Sequence, residues 1–150
     1  MAILMSIKPK FSRQIFSGVK KYELRKTPIK NKSDNLVIVY ESAPTKAIVG
    51  CFRINKILKR TPKEIWYAFK HEIGISEEEF FEYFKKKEWA YAIKVAHAKK
   101  FKNRITLEKI REINQSWRPP QSFYYLKENS EPNSLLKEEI EINRNLLSYI

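Results

Sequence analysis

Lys20, Glu23 and Arg25 are the residues of this chain whose types and spacing promise chemistry. Two residues apart on an extended segment, Glu23 and Arg25 project from one face, and Lys20 sits just before them. A lysine beside the carboxylate holds it ionised and leaves Arg25 as a forked, permanently charged donor. Such a group grips a phosphate with Lys20 and Arg25 while Glu23 accepts from a base amino group or a hydroxyl. The same residues also fit an ion-paired strand face in water, and spacing alone leaves both readings open.

Other residues extend the candidate set. Lys8 precedes Pro9 at a helix start, where backbone donors and the positive dipole end favour an anion; a solvent-facing flanking lysine is the alternative. Gln121 and Ser122 offer a donor and an acceptor beside the Phe123 ring. That set suits a splayed single-stranded base, or a turn next to core aromatics. Trp117 either stacks on a base or closes the core. Lys85, Lys86 and Lys87, then Lys99, Lys100, Lys102 and Arg104, then Lys56, Lys59 and Arg60 form three basic runs. With the loop Arg25–Lys32 they are expected to share one surface that contacts backbone phosphates. His71 and His97 have no acidic partner at metal spacing, and no Ser–His–Asp order is visible, so neither metal nor cofactor is expected.

The overall charge supports a polyanionic partner. Thirty Lys and Arg face seventeen Asp and Glu, for a net +13. Residues 129–150 hold four acids and two bases, so the first 128 carry 28 bases and 13 acids. A compact domain with that field attracts nucleic acid and releases its counterions; solubility is the bland alternative. The single cysteine, Cys51, excludes an internal disulfide and reads as a small buried thiol. No stretch approaches the roughly 20 apolar residues of a membrane span. A soluble cytoplasmic protein with no membrane partner is expected.

Elements must position these groups. Ala2–Ile7 reads as a buried strand, and Lys8-Pro9 opens a helix through Phe11, Ile15 and Val19 that stops at Gly18. Lys21–Lys26 alternates, which predicts a half-buried strand with a charged outer face. Leu36–Tyr40 and Ala47–Leu58 are apolar strands separated by a turn at Pro44. Thr61-Pro62-Lys63-Glu64 and Ser76-Glu77-Glu78-Glu79 are capping boxes that open two helices. A DNA-reading helix-turn-helix is disfavoured there, because three successive Glu repel phosphates. Glu88–Phe101 reads as a long strand, Thr106–Ile113 as a short helix, and Ser116–Leu126 as a Pro-braked aromatic segment. Residues 134–150 are predicted to form an acidic amphipathic helix. Leu135, Ile142, Leu146 and Tyr149 make one stripe of it, and Leu136, Ile140 and Leu147 lie beside that stripe. This gives one α+β domain over 1–128, a small barrel of about five or six strands with short flanking helices. The tail 129–150 docks on the barrel or mediates self-association.

Several of these segments carry a resemblance. Ser6-Ile7-Lys8-Pro9 and Ile15–Arg25, with its Gly-x-Lys-x-x-Glu-x-Arg order, resemble the opening motif of ASCH domains in the PUA-like superfamily. The similarity continues through Val39–Ser42, Ile48–Gly50, Ala90–Ile93 and Pro119–Phe123, and it is closest to the archaeal and bacterial group described as transcriptional regulators. The resemblance implies a PUA-like barrel whose cleft binds RNA or a modified nucleotide. Lys8, Ser42, Gln121 and Ser122 would meet Lys20, Glu23 and Arg25 there. The family also includes an N-acetylated-cytidine amidohydrolase, which works with a Lys, a Thr and a Glu. The Lys matches Lys20, but Glu23 occupies the Thr position, so that activity does not carry over. The enzymatic alternative is a metal-independent ribonuclease, with Lys20 as electrostatic stabiliser and Tyr40 or Glu23 in proton transfer.

Overall fold

The protein is described here from a computed structural model that covers residues 2–30, 35–127 and 132–137, together with 139 and 141. In chain order the elements are β1 (Ile3–Ile7), α1 (Pro9–Ser17), β2 (Tyr22–Arg25), β3 (Leu36–Glu41) and β4 (Ala47–Arg60). They continue with α2 (Pro62–Phe69), α3 (Glu77–Tyr83), β5 (Ala90–Thr106), α4 (Leu107–Ile113) and β6 (Phe123–Tyr125). The six strands make one mixed sheet in the order β2-β5-β4-β3-β1-β6, with β1 parallel to β3 and the other neighbours antiparallel. It is an α+β domain built on a curled half-barrel.

Both faces of the central strands are covered, which is why β3 reads as an unbroken apolar run and buries all six residues. On one face Ile3, Met5 and Ile7 join Val37, Val39, Phe52 and Ile93. On the other, Leu4, Ile38, Tyr40 and Cys51 pack with Ile110 of α4, Trp117 and Leu136. A third cluster seats Ile65 and Trp66 of α2 and Phe80 of α3 on Tyr22, Ala90 and Ala92. Trp117 therefore closes the core, the reading the sequence left open. The expected C-terminal helix is seen at its start: residues 133–137 are helical, Leu136 is fully buried and Leu135 packs beside it. Ile140, Ile142, Leu146, Leu147 and Tyr149 of the expected stripes lie outside the described residues.

The helix boundaries follow local chemistry. Thr61 and Ser76 accept from the Glu64 and Glu79 amides as the capping boxes predict, and Thr106 caps α4 through the Lys109 amide. Gly18 ends α1 at φ 85, a left-handed conformation glycine takes without strain. Two expectations need correction. β5 runs from Ala90 to Thr106, five residues past the expected end, because its second half keeps pairing with β4 as far as Ala47. β2 is buried along its whole length, not half-solvated. Its charged face looks across to the far edge of the sheet, where Arg25 reaches Ser6 and Ser122.

Gly50 marks a close approach between elements. A Cβ there would lie 2.5 Å from the Lys99 carbonyl oxygen and 2.7 Å from the Phe16 ring. Backbone of a paired strand cannot yield as a flexible side chain does, so Gly50→Ala is expected to lower stability by about 1–3 kcal/mol. Urea denaturation of the two proteins checks this; unchanged stability would mean the β4–β5 bulges absorb the methyl group.

Candidate functional site

A cavity of about 1110 Å³ opens against the charged face of β2. Lys8, Lys20, Glu23, Arg25, Tyr40, Ser42, Gln121 and Ser122 all line it. Residues more than a hundred positions apart in sequence meet there because β2 lies at one edge of the sheet and β1 and β6 at the other. Curling brings the two edges face to face.

Arg25 spans the gap. Its Nη2 donates to the Ser6 carbonyl at 2.9 Å and to Glu23 Oε2 at 3.1 Å, while Nη1 donates to Ser122 Oγ at 3.1 Å. Its Nε is buried with no hydrogen-bond partner among the described residues. Glu23 is committed on both oxygens: Oε1 accepts from the Leu24 amide at 2.9 Å and Oε2 from Arg25. Lys20 lies 3.8 Å from Glu23 Oε1 and donates to the Ile73 carbonyl. The Lys21 and Tyr22 amides donate to the Glu72 carbonyl alongside, so the α1–β2 junction is sewn to the α2–α3 loop. The three charged residues are all buried. Of the two arrangements open from sequence, an ion-paired face in water is ruled out.

Burial sets the protonation chemistry. Desolvation pulls the Lys20 ammonium below the ordinary lysine value, Glu23 opposes that pull, and Arg25 adds to it. Desolvation raises the Tyr40 phenol above its ordinary value, with Arg111 pulling the other way. Tyr40 thus keeps its proton at neutral pH, fit to donate and unfit to act as a base. Glu23, with both oxygens bonded, is fit to orient Arg25.

Lys8 is the N-cap residue of α1, and no side chain caps that helix end. Ser42 follows β3, its amide donating to the Ile7 carbonyl at 3.0 Å. Ser6 Oγ donates to the Pro120 carbonyl at 2.6 Å, which seats the Pro119–Ser122 wall against β1. Phe123 is absent from the cavity, because β6 turns its ring onto the apolar sheet face.

Sequence reasoning missed the opposite wall. Glu78, Glu79, Glu82 and Tyr83 of α3 line the cavity, as do Phe11, Lys26, Lys46 and Arg111. The spacing of Glu78 and Glu82 with inward Phe80 and Phe84 marks one face of α3, but helical periodicity does not tell cleft from solvent. Arg111 had no signal. Lys85, Lys86, Lys99, Lys100, Lys102 and Arg104 are exposed and do not line the cavity. Lys99, Lys100, Lys102 and Arg104 do not share one surface with the third run. Lys99 and Lys100 pair with Cys51 and Gly50, whereas Lys59 and Arg60 pair with Tyr91 and Ala90 at the other end of the same strand pair. Among the described residues no cluster of His, Cys, Asp and Glu gathers to hold a metal, and no helix is long and apolar enough to cross a membrane.

Known structures share this architecture. The crystal structure of ASCH from Zymomonas mobilis matches with a TM-score of 0.80 at 25% identity, over 91% of this chain and 94% of that one. Human THYN1, solved in complex with DNA containing 5-methylcytosine, matches over 92% of this chain and 96% of its own. Its TM-score is 0.56 at 15% identity, a likeness of fold alone. The class is an ASCH-type, PUA-like domain. An ASCH domain-containing ribonuclease of Zymomonas mobilis is 26% identical over 139 residues, 92% of this chain and 93% of that protein. The family described as "Domain of unknown function (DUF365)" matches residues 1–116, and the chain belongs to it.

Two expectations follow from the buried triad. Arg25→Ala removes the bonds joining the sheet edges and is expected to cost about 1.5–3 kcal/mol of stability, the range for bonds to a charged group. Chemical denaturation checks this; an unchanged midpoint would make Arg25 a ligand group only. Lys20 gives a pH signature. Its folded pKa is lowered, so between that value and 10.5 the unfolded chain holds a proton that the folded chain has released. Stability contributed by this site therefore rises with pH across that window. The stability of wild type minus that of Lys20→Met should rise from neutral to alkaline pH; a flat difference would contradict the burial.

Proposed function

We propose that the cleft binds single-stranded RNA, seating one nucleotide between the Arg25–Ser122 bridge and the α3 wall. The observation that carries this reading is the convergence of Lys8, Arg25, Ser42, Gln121 and Ser122 on one open cavity. Its volume exceeds the roughly 300–1,000 Å³ of ordinary ligand pockets. The uncapped start of α1 with Lys8 suits a phosphate. Gln121 is exposed on the cavity wall, free to read a base edge. Arg25 Nε offers a buried donor that a ligand oxygen would satisfy. A modified nucleotide fits the same space. The acidic residues of α3 favour bases whose exocyclic amino groups donate.

Cleavage is the second reading, favoured by likeness to a ribonuclease across nearly the whole of both chains. Tyr40 would donate the proton to the departing 5′-oxygen, the buried cations would stabilise phosphate charge, and Glu78 or Glu82 would take the 2′-hydroxyl proton. The protein would work in the cytoplasm, where a lone buried thiol is at home. The C-terminal helix would pack on its own barrel, as the burial of Leu136 suggests, leaving self-association to its outer face.

Metal-free protein incubated with a single-stranded and a structured RNA tests both readings. Binding should weaken steeply with salt, and Lys8→Gln with Lys46→Gln should lower the log–log slope by about 0.7 per lost phosphate contact. Absence of binding at low salt would overturn the RNA reading. Cleavage in the presence of a chelator that is lost in Tyr40→Phe would establish the second reading; binding without cleavage would remove it.

A further inference from the structure

Strand pairing gathers a second basic and aromatic set outside the cleft. β4 ends on Lys59 and Arg60, held opposite Tyr91 and Ala90 at the start of β5. The exposed Lys85, Lys86 and Lys87 form the turn just before β5, with Lys86 at φ 63. Ala90 follows Lys87 by three positions, which keeps Lys87 within about 10–11 Å of that strand end.

Two lysine–ring contacts bracket this turn. On one side the Lys26 ammonium lies 4.3 Å from the centroid of Tyr83, and on the other the Lys59 ammonium lies 4.7 Å from that of Trp89. Lys26 and Tyr83 line the cavity, so the set begins at its rim. Register adds a second connection, because Arg25 is opposite Tyr91 and Tyr91 opposite Lys59, in one row across β2, β5 and β4. Cross-strand partners share a sheet face.

Trp89 is 38% exposed, whereas Trp66 and Trp117 are 8% and 6%. An indole left in water beside clustered cations combines the two parts of a single-strand binder, a stacking plane and phosphate contacts. Glu82 and Glu88 are the acids within this stretch of sequence, against Lys26, Lys59, Arg60 and the three lysines of the turn.

We infer that the α3–β5 turn and the end of β4 form a second RNA-contacting surface, continuous with the cleft rim. It holds the backbone of the strand leaving the cleft and stacks one base on Trp89. This rests on the RNA-binding reading of the cleft and adds to it the substrate class: an extended single strand, in preference to a free nucleotide.

The test compares an oligouridine dodecamer with a uridine dinucleotide on the full chain at low salt. The dodecamer should bind at least about tenfold tighter, through the added phosphate contacts and the stacked base. In K59Q/K86Q that advantage should shrink towards the dinucleotide's affinity, with the dodecamer's salt slope lower by about 1.4 and dinucleotide binding unchanged. The dodecamer should also quench tryptophan fluorescence, and Trp89→Phe, which keeps a ring in place, should abolish the quench. If both oligonucleotides bind wild type and the variants change neither the dodecamer's affinity nor its quench, this surface is refuted and the cleft reading stands. Equal weakening of the dinucleotide would also overturn it, since the lysines would then belong to the cleft. Failure of both oligonucleotides to bind wild type would remove the RNA reading and this inference together.

Discussion

The contact on which the rest of this structure depends is the Arg25 guanidinium between the two edges of the sheet. An open six-stranded sheet with β2 at one end and β6 at the other exposes two rows of unpaired backbone groups. Here one side chain from β2 reaches the Ser6 carbonyl on β1 and Ser122 just before β6. A planar fork with several donors can meet acceptors on two strands at once, which a lysine ammonium on a flexible stem does far less well. The bridge ties the Pro119–Ser122 wall, which Ser6 Oγ seats on β1, to β2 across the cavity.

Burying Arg25 makes Glu23 and Lys20 necessary. A lone guanidinium away from water is costly unless paired, so Glu23 lies 3.1 Å away and is itself fixed by the Leu24 amide. Lys20 then shares Glu23 and spends a proton on the Ile73 carbonyl, which draws the α2–α3 loop against the barrel. Ion pairs of this kind seldom add net stability over an apolar replacement, and their worth lies in fixing one geometry. The chain of charges transmits the position of α3, and hence of the cleft's acidic wall, to the sheet edges. A site and its scaffold are one network here, so substitutions of the triad will move fold and function together.

Much of this was legible in the sequence, for identifiable reasons. Capping boxes at Thr61 and Ser76, Pro9 at a helix start and Gly18 at its end are local signals, and local geometry obeyed them. The apolar run of β3 announced burial on both faces. What failed depended on distant partners. The alternation of Lys21–Lys26 looks half-solvated until Ser6 and Ser122 arrive from the far edge. The length of β5 depends on how far β4 continues to pair, which its own residues do not encode. The ASCH-like motifs placed Ser42 in the cleft, since that residue carries no signal by itself. No motif marked α3 as a wall of the cleft, because an acidic helix face reads the same against water as against a cavity.

The distribution of charge separates two tasks that net charge merges. Inside the cavity Lys8, Lys20, Arg25, Lys26, Lys46 and Arg111 stand against Glu23, Glu78, Glu79 and Glu82, so the lining is close to balanced. The large positive excess of residues 1–128 must therefore reside mostly outside it, on the β4–β5 strand pair and its flanking turns. Exposed charge of that kind speeds encounter with a polyanion and is screened by salt. Buried, paired charge with fixed directions discriminates among ligands instead, because a wrong partner leaves desolvated groups unmet. On the proposed reading, the domain's outer surface would attract nucleic acid, and its cleft, with only two more cations than acids in its lining, would select among ligands. Its affinity and its specificity should consequently answer to different residues.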